Sequence, residues 1–298
     1  MSIFTTVGIV KIGYLSLNHA AGIRPDHLAT ELETRGFDSL WVPEHSHIPT
    51  SRATAYPAGG ELPEGYLHNM DPFVSLTAAA GASTDLLLYT GVCLILEQDL
   101  LNLACKTATL DVLSNGRFRL GIGVGWNEEE LANHRPDLPF AKRYSAMRER
   151  VEALRTAWAD ERASFSGERD RFSESWIYPK PTGGSIPIAL GNAGPVGITH
   201  AASYGNEWCP IDASLAVADG GVKGAFQQFH DAVEAEGRDP KDIPISIFMT
   251  HPRPDRMEIY AELGAERVVL FPPTMALHDT DATLRHLDDI TDALPLTT

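Results

Sequence analysis

Apolar residues in this chain gather into short runs with the alternation or continuity of β-strands, separated by longer stretches with the 3.6-residue period of amphipathic helices. The strand-like runs are Val7–Ile12, Ser39–Val42, Leu86–Leu96, Phe118–Gly123, Ile186–Leu190, Glu207–Pro210, Ile243–Met249 and Arg267–Phe271. Helical periodicity covers Pro25–Arg35, Asp71–Ser83, Leu103–Leu113, Arg143–Asp160, Val196–Tyr204 and Gly221–Glu236. Strands alternating with helices predict an α/β protein whose parallel sheet is covered by helices. Eight strands in 298 residues without a linker predict one (β/α)8 TIM barrel as a single domain over residues 1–298. A doubly wound open sheet is the rival.

Two connections exceed the usual βα length. The first, EHSHIPTSRATAYPAGGELPEGYLHNM, leaves the second strand at its C-terminal end, which in a barrel is the catalytic face. The second, ASFSGERDRFSESWIYPKPTGGS, follows the fourth strand and its helix and predicts a hairpin or lid flap around Gly167. Tyr56, Tyr66, His68, Trp126, Trp176 and Tyr178 are therefore candidate walls of a substrate pocket. Aromatic residues in long loops also serve simply to pin the loop to its scaffold.

The run GIGVGW at the end of the fourth strand resembles a phosphate loop but reads GxGxG, not the GxGxxG of a dinucleotide fold. Asn127 is the expected N-cap of the next helix, and Glu128, Glu129 and Glu130 would compete with phosphate for its amides. Either the glycines allow tight strand packing alone, or Gly123 to Trp126 bring backbone against a flat ring at the barrel mouth. A cleaner anion site follows the fifth strand, where Gly191, Asn192, Ala193 and Gly194 precede Pro195 at a helix start with no acid nearby. A plain tight turn is the alternative. His45, directly after the second strand, suits proton transfer near neutral pH, and Glu44 is placed to orient it. His47 makes an HxH pair with it, but no third ligand has convincing spacing, so no metal is expected.

Charge narrows the partners. Lys and Arg number 24 against 40 Asp and Glu, a net charge of −16 that repels nucleic acid and anionic membranes. Cys93, Cys105 and Cys209 form no CxxC pair and lie in or beside apolar runs, as buried reduced cysteines of a cytoplasmic protein do. The N-terminus lacks a signal-peptide pattern, and no run of about eighteen apolar residues is present.

Taken together, DSLWVPEHSHIP, DPFVSLTAAA, LYTGVCLI, ATLDVLSNGRFRLGIGVGWNEEE and YPKP…IPIALGNAGP…AAS resemble, in order and spacing, the bacterial luciferase-like superfamily, and within it the actinobacterial oxidoreductases that use coenzyme F420. The resemblance implies a TIM barrel with the deazaflavin across its C-terminal mouth. It implies that Glu44 and His45 lie beside the ring, and that a non-prolyl cis peptide at Gly91–Val92 supports it. The cofactor's side chain and phosphate would fall to Gly125, Trp126, Leu190, Gly191, Asn192, Ala193 and Gly194. It further implies a homodimer and hydride transfer to or from a small organic substrate. FMN-dependent monooxygenation, or cofactor binding without chemistry, are the alternatives. Asn192 stands where many relatives have a second glycine, Thr199-His200 where they carry basic residues, and Asn206-Glu207-Trp208 where they read Asp-Gly-Trp. These departures lower positive charge near the phosphate and leave F420 against FMN open.

Overall fold

The computed structural model describes residues 10–192, 194–251, 253–273 and 278–294. Its strands are β1 (Lys11–Leu15), β2 (Ser39–Val42), β3 (Leu87–Thr90), β4 (Cys93–Leu94), β5 (Phe118–Gly123), β6 (Ala163–Ser166), β7 (Arg171–Ser175), β8 (Ile188–Gly191), β9 (Glu207–Cys209), β10 (Ser246–Thr250) and β11 (Arg267–Leu270). The helices are α1 (Pro25–Thr34), α2 (Pro72–Gly81), α3 (Leu100–Leu113), α4 (Glu128–His134), α5 (Arg143–Ala159), α6 (Pro195–Tyr204), α7 (Asp212–Ala216), α8 (Gly221–Ala235), α9 (Pro254–Glu262) and α10 (Thr280–Ala293).

The barrel strands run in the order β10-β11-β1-β2-β3-β5-β8-β9, all neighbours parallel. Parallel bridges Trp208–Ile245 and Ile211–Phe248 bring β9 back against β10, closing the barrel and excluding the open sheet. Two cores result. Leu15, Trp41, Tyr89, Ala189, Cys209, Phe248 and Val269 fill the barrel interior, where Trp41 stacks on Tyr89 with centroids 3.8 Å apart. Alternate residues on the same strands, such as Leu40, Val42, Leu88 and Ile188, face the helical shell.

Local chemistry sets the helix starts. Asp71 caps α2 by accepting from the Val74 N–H at 2.9 Å, with Pro72 as the first helical residue, and Asp99 caps α3 through the Asn102 N–H. Asn127 caps α4 as its sequence predicts, accepting from the Glu129 and Glu130 amides, each at 3.2 Å.

Several expectations change. The run Leu86–Leu96 is two strands, β3 and β4, parted at Gly91–Val92, whose peptide bond is cis as the resemblance implied. The first strand starts at Lys11; the first half of Val7–Ile12, residues 7–9, lies outside the described residues. Cys105 is exposed on α3, whereas Cys93 and Cys209 are buried, and all three are free thiols. Periodicity alone missed α4, α7, α9 and α10. The second long connection is the antiparallel hairpin β6–β7, but it is not a lid over the mouth. Glu149 on α5 accepts from the Arg169 and Asp170 amides, and Arg150 forms two bonds to Asp170 at 2.7 and 2.8 Å, fixing the tip against the shell helices. Among the described residues, no helix is long and apolar enough to cross a membrane.

Candidate active site

Four neighbouring strand ends bring the candidate residues together. Val42 pairs with Thr90, Leu94 with Gly123 and Ile122 with Leu190, so the segments beginning at Glu44, Gly91, Val124 and Gly191 emerge side by side at the barrel mouth.

The glycines of GIGVGW have distinct causes. A Cβ on Gly121 would come within 2.0 Å of the Thr90 carbonyl oxygen, and one on Gly123 within 2.6 Å of Val92 Cγ2. These two allow close packing of β5 beneath the Gly91–Val92 step. Gly125 has φ of 73°, turning the chain before α4. No dinucleotide loop is formed.

His45 stands at the centre. Its Nδ1 lies 2.8 and 3.1 Å from the two Glu130 oxygens, and its side chain is 7% exposed. Tyr66 and Trp126 wall the ring at centroid distances of 5.3 and 6.0 Å, and Tyr56 packs on both of them. Among the described residues nothing hydrogen-bonds His45 Nε2, so that nitrogen is the one available to a ligand. Glu130, not Glu44, is therefore the partner of His45. Glu44 is buried and accepts from the Leu94 N–H at 2.7 Å and from the Gln98 side chain. It fixes the backbone just beyond Gly91–Val92, and burial pushes its carboxyl up from the ordinary range.

The carboxylates of NEEE divide the work. Glu129 reaches the long loop after β2, accepting from Ser51 Oγ and the Ala53 N–H at 2.8 Å, the Thr54 N–H at 3.1 Å and the Thr54 hydroxyl. Hydroxyl bonds from Thr54 and Ser51 hold its carboxyl down to about 2. Glu130 turns inward and is buried, whereas His134, one helical turn later, stays exposed and meets Ser46 Oγ at 2.8 Å. Nothing local in NEEE separates Glu130 from its two neighbours; the turn of α4 alone aims it at His45.

The phosphate loop is more occupied than its sequence suggests. Asn192 adopts φ of 87°, a backbone region that favours glycine, and its Oδ1 accepts from the Gly194 N–H at 2.8 Å while its Nδ2 donates to Tyr144 Oη. The Gly194 amide is thus not bare. No side chain caps α6, whose first residue is Pro195, so the helix start still suits an anion. Ala193 lies outside the described residues. Leu190 turns its side chain into the outer core, close to Gly205, and does not reach the mouth.

The remaining pocket candidates have other neighbours. His68, two residues beyond Tyr66, packs on His19 of the loop after β1, whose other ring neighbour is His278. Trp176 and Tyr178 are 71% and 55% exposed on the outer wall, where the Tyr178 carbonyl oxygen lies 3.5 Å from Cys105 Sγ on α3. Their connection runs outside the shell helices, so they cannot face the mouth. His47 is taken up by Ser46 and Asn133, and among the described residues no group of three or more His, Cys, Asp or Glu could hold a metal.

The family model for luciferase-like monooxygenases matches residues 23–288. An uncharacterized protein of Mycobacterium tuberculosis is 36% identical over 272 residues, 89% of this chain and 93% of that protein. The F420-dependent hydroxymycolic acid dehydrogenase of Mycobacterium tuberculosis is 28% identical over 80% of this chain and 59% of its own length. A solved structure of an F420-dependent secondary alcohol dehydrogenase with an F420-acetone adduct superposes with a TM-score of 0.73 at 18% identity, covering 98% of this chain and all of that one (100%).

Proposed function

Because the chain belongs to the luciferase-like monooxygenase family, whose members are F420-dependent oxidoreductases and monooxygenases, we propose that it transfers a hydride between coenzyme F420 and a small organic substrate, with His45 moving the accompanying proton. The observation that carries this reading is the His45 ring, anchored through Nδ1 on Glu130 and sheltered by Tyr66 and Trp126, with Nε2 left for a ligand.

The residues present fit the cofactor. A planar ring would lie on Val92, which is partly exposed over Gly123, and an anionic tail would meet the uncapped start of α6 beside the Gly125 turn. Bound F420 supplies a ring carbon that accepts or gives hydride. The chain supplies the rest. Glu130 fixes the His45 orientation and favours a proton on Nδ1, so Nε2 is the atom that takes or gives the substrate proton. Tyr56, Tyr66 and Trp126 exclude water from that atom.

Fluorescence titration tests the cofactor: F420 binds, and FMN binds at least tenfold more weakly. Tight FMN binding without F420 binding overturns the reading in favour of flavin monooxygenation. In turnover assays with a panel of small alcohols and ketones, His45→Gln lowers the rate about a hundredfold, the lower end of a general acid–base contribution, and leaves F420 affinity within a few-fold.

A further inference from the structure

Glu97 is a buried ionisable group beside this site that the proposed chemistry does not use. It follows β4; its side chain is 4% exposed, and neither carboxyl oxygen has a hydrogen-bond partner. An unpaired buried polar group is costly, and native proteins seldom retain one without a use. Toward the mouth, Oε1 lies 3.5 Å from the position of a Cβ on Gly125. Four other groups act on it: Glu130 and His134 from α4, Glu44 from the end of β2, and Cys93 from β4. On its outer side it lines a cavity of about 490 Å³ with Asp99, Arg135, Arg150, Arg169, Asp170 and Arg171, and among the described residues none of these arginines comes within ion-pair distance of it.

None of these neutralises it. Arg150 is locked on Asp170 and Arg135 on Asp137 at 3.0 Å. His134 Nε2 approaches to 3.7 Å but lies 2.8 Å from Ser46 Oγ, and burial together with His47 pushes its pKa down. Burial, with Glu130 and then Glu44 adding to it, raises the Glu97 carboxyl to about 9, so it carries its proton at neutral pH.

We propose that Glu97 is a positioning residue: a neutral carboxylic acid that limits the carboxylate pair behind His45 to one negative charge, and that ionises toward the outer cavity to add a second. In that step the Glu97 O–H bond breaks, hydroxide in the cavity takes the proton to form water, and the charge stays on Glu97. The kinetic part of the inference rests on the proton role proposed for His45; the charge coupling does not.

The test follows the histidine ring signals of isotopically labelled full-length protein, without cofactor, with His45 assigned by loss of its signal in His45→Gln. The wild-type His45 signal shows a step near the alkaline titration of Glu97, absent in Glu97→Gln and retained, at a shifted midpoint, in Glu97→Asp. With F420 and a turned-over substrate, wild-type kcat/KM changes severalfold between roughly pH 8 and 10, and that limb is lost in Glu97→Gln. Superposable His45 titrations in wild type and Glu97→Gln overturn the proposal. Normal turnover by His45→Gln overturns the function reading instead, so the two failures are distinguishable.

Discussion

Glu97 makes the sign of a burial effect measurable at the scale of one residue. Its carboxyl, raised to about 9, keeps in the fold a proton that the unfolded chain releases in the ordinary carboxylate range. A raised carboxyl pKa means that its contribution to stability is most favourable at acid pH and is lost as pH rises toward about 9. Glu97→Gln cannot ionise. The melting temperature of this variant therefore gains on that of wild type between roughly pH 5 and 8.5, as thermal melts by circular dichroism will show. Parallel pH dependence in the two proteins would contradict the burial argument.

Among the elements, the long connection after β2 shows how one side chain orders a loop. Glu129 takes four bonds from Ser51, Ala53 and Thr54, and so ties the loop bearing Tyr56 to the first turn of α4. Its carboxyl is held down to about 2, so this tie is complete above the ordinary carboxylate range and is lost as pH falls through about 2. Glu129→Ala should raise hydrogen exchange at residues 51–57 at neutral pH while the thermal midpoint of the barrel stays nearly constant, because the loop adds little to either core. Unchanged exchange at those residues would mean that contacts of Tyr56 with Tyr66 and Trp126 order the loop without Glu129.

For the whole molecule, a buried ionic network closes the bottom of the barrel. Arg267 on β11 donates to Asp38, to Glu207 on β9 at 3.1 Å, to Tyr89 Oη on β3 at 3.1 Å and to Ser246 Oγ on β10 at 3.0 Å. Arg267 compensates the charge of the buried Glu207. The Arg267 stem also passes Gly13, where a Cβ would lie 3.4 Å from its Cδ. Removing one partner of such a network strands the others, so Arg267→Met should destabilise the protein by about 3–5 kcal/mol in urea denaturation. Glu207→Gln in the same chain should restore part of that loss, since it removes a stranded charge. A loss below about 1 kcal/mol would show that water reaches and solvates this end of the barrel.

The sequence by itself determined the alternation of strands and helices, the cap at Asn127 and the barrel the elements build. These properties reside in neighbours two to four residues apart, where backbone geometry and burial period speak directly. It also marked His45 and the aromatic pair Tyr66 and Trp126, because they follow the C-terminal ends of strands. Which carboxylate meets His45 was decided only by the tertiary structure: Glu44 is adjacent in the chain, but strand direction turns it toward Leu94, whereas Glu130, 85 residues away, is delivered by α4 across the closed mouth. Trp176 and Tyr178 were misplaced for the same reason, since local pattern predicts a hairpin but not the side of the shell on which it lies. Glu97 has no local signature at all; its charge state follows from the burial and the neighbouring carboxylates that barrel closure assembles around it.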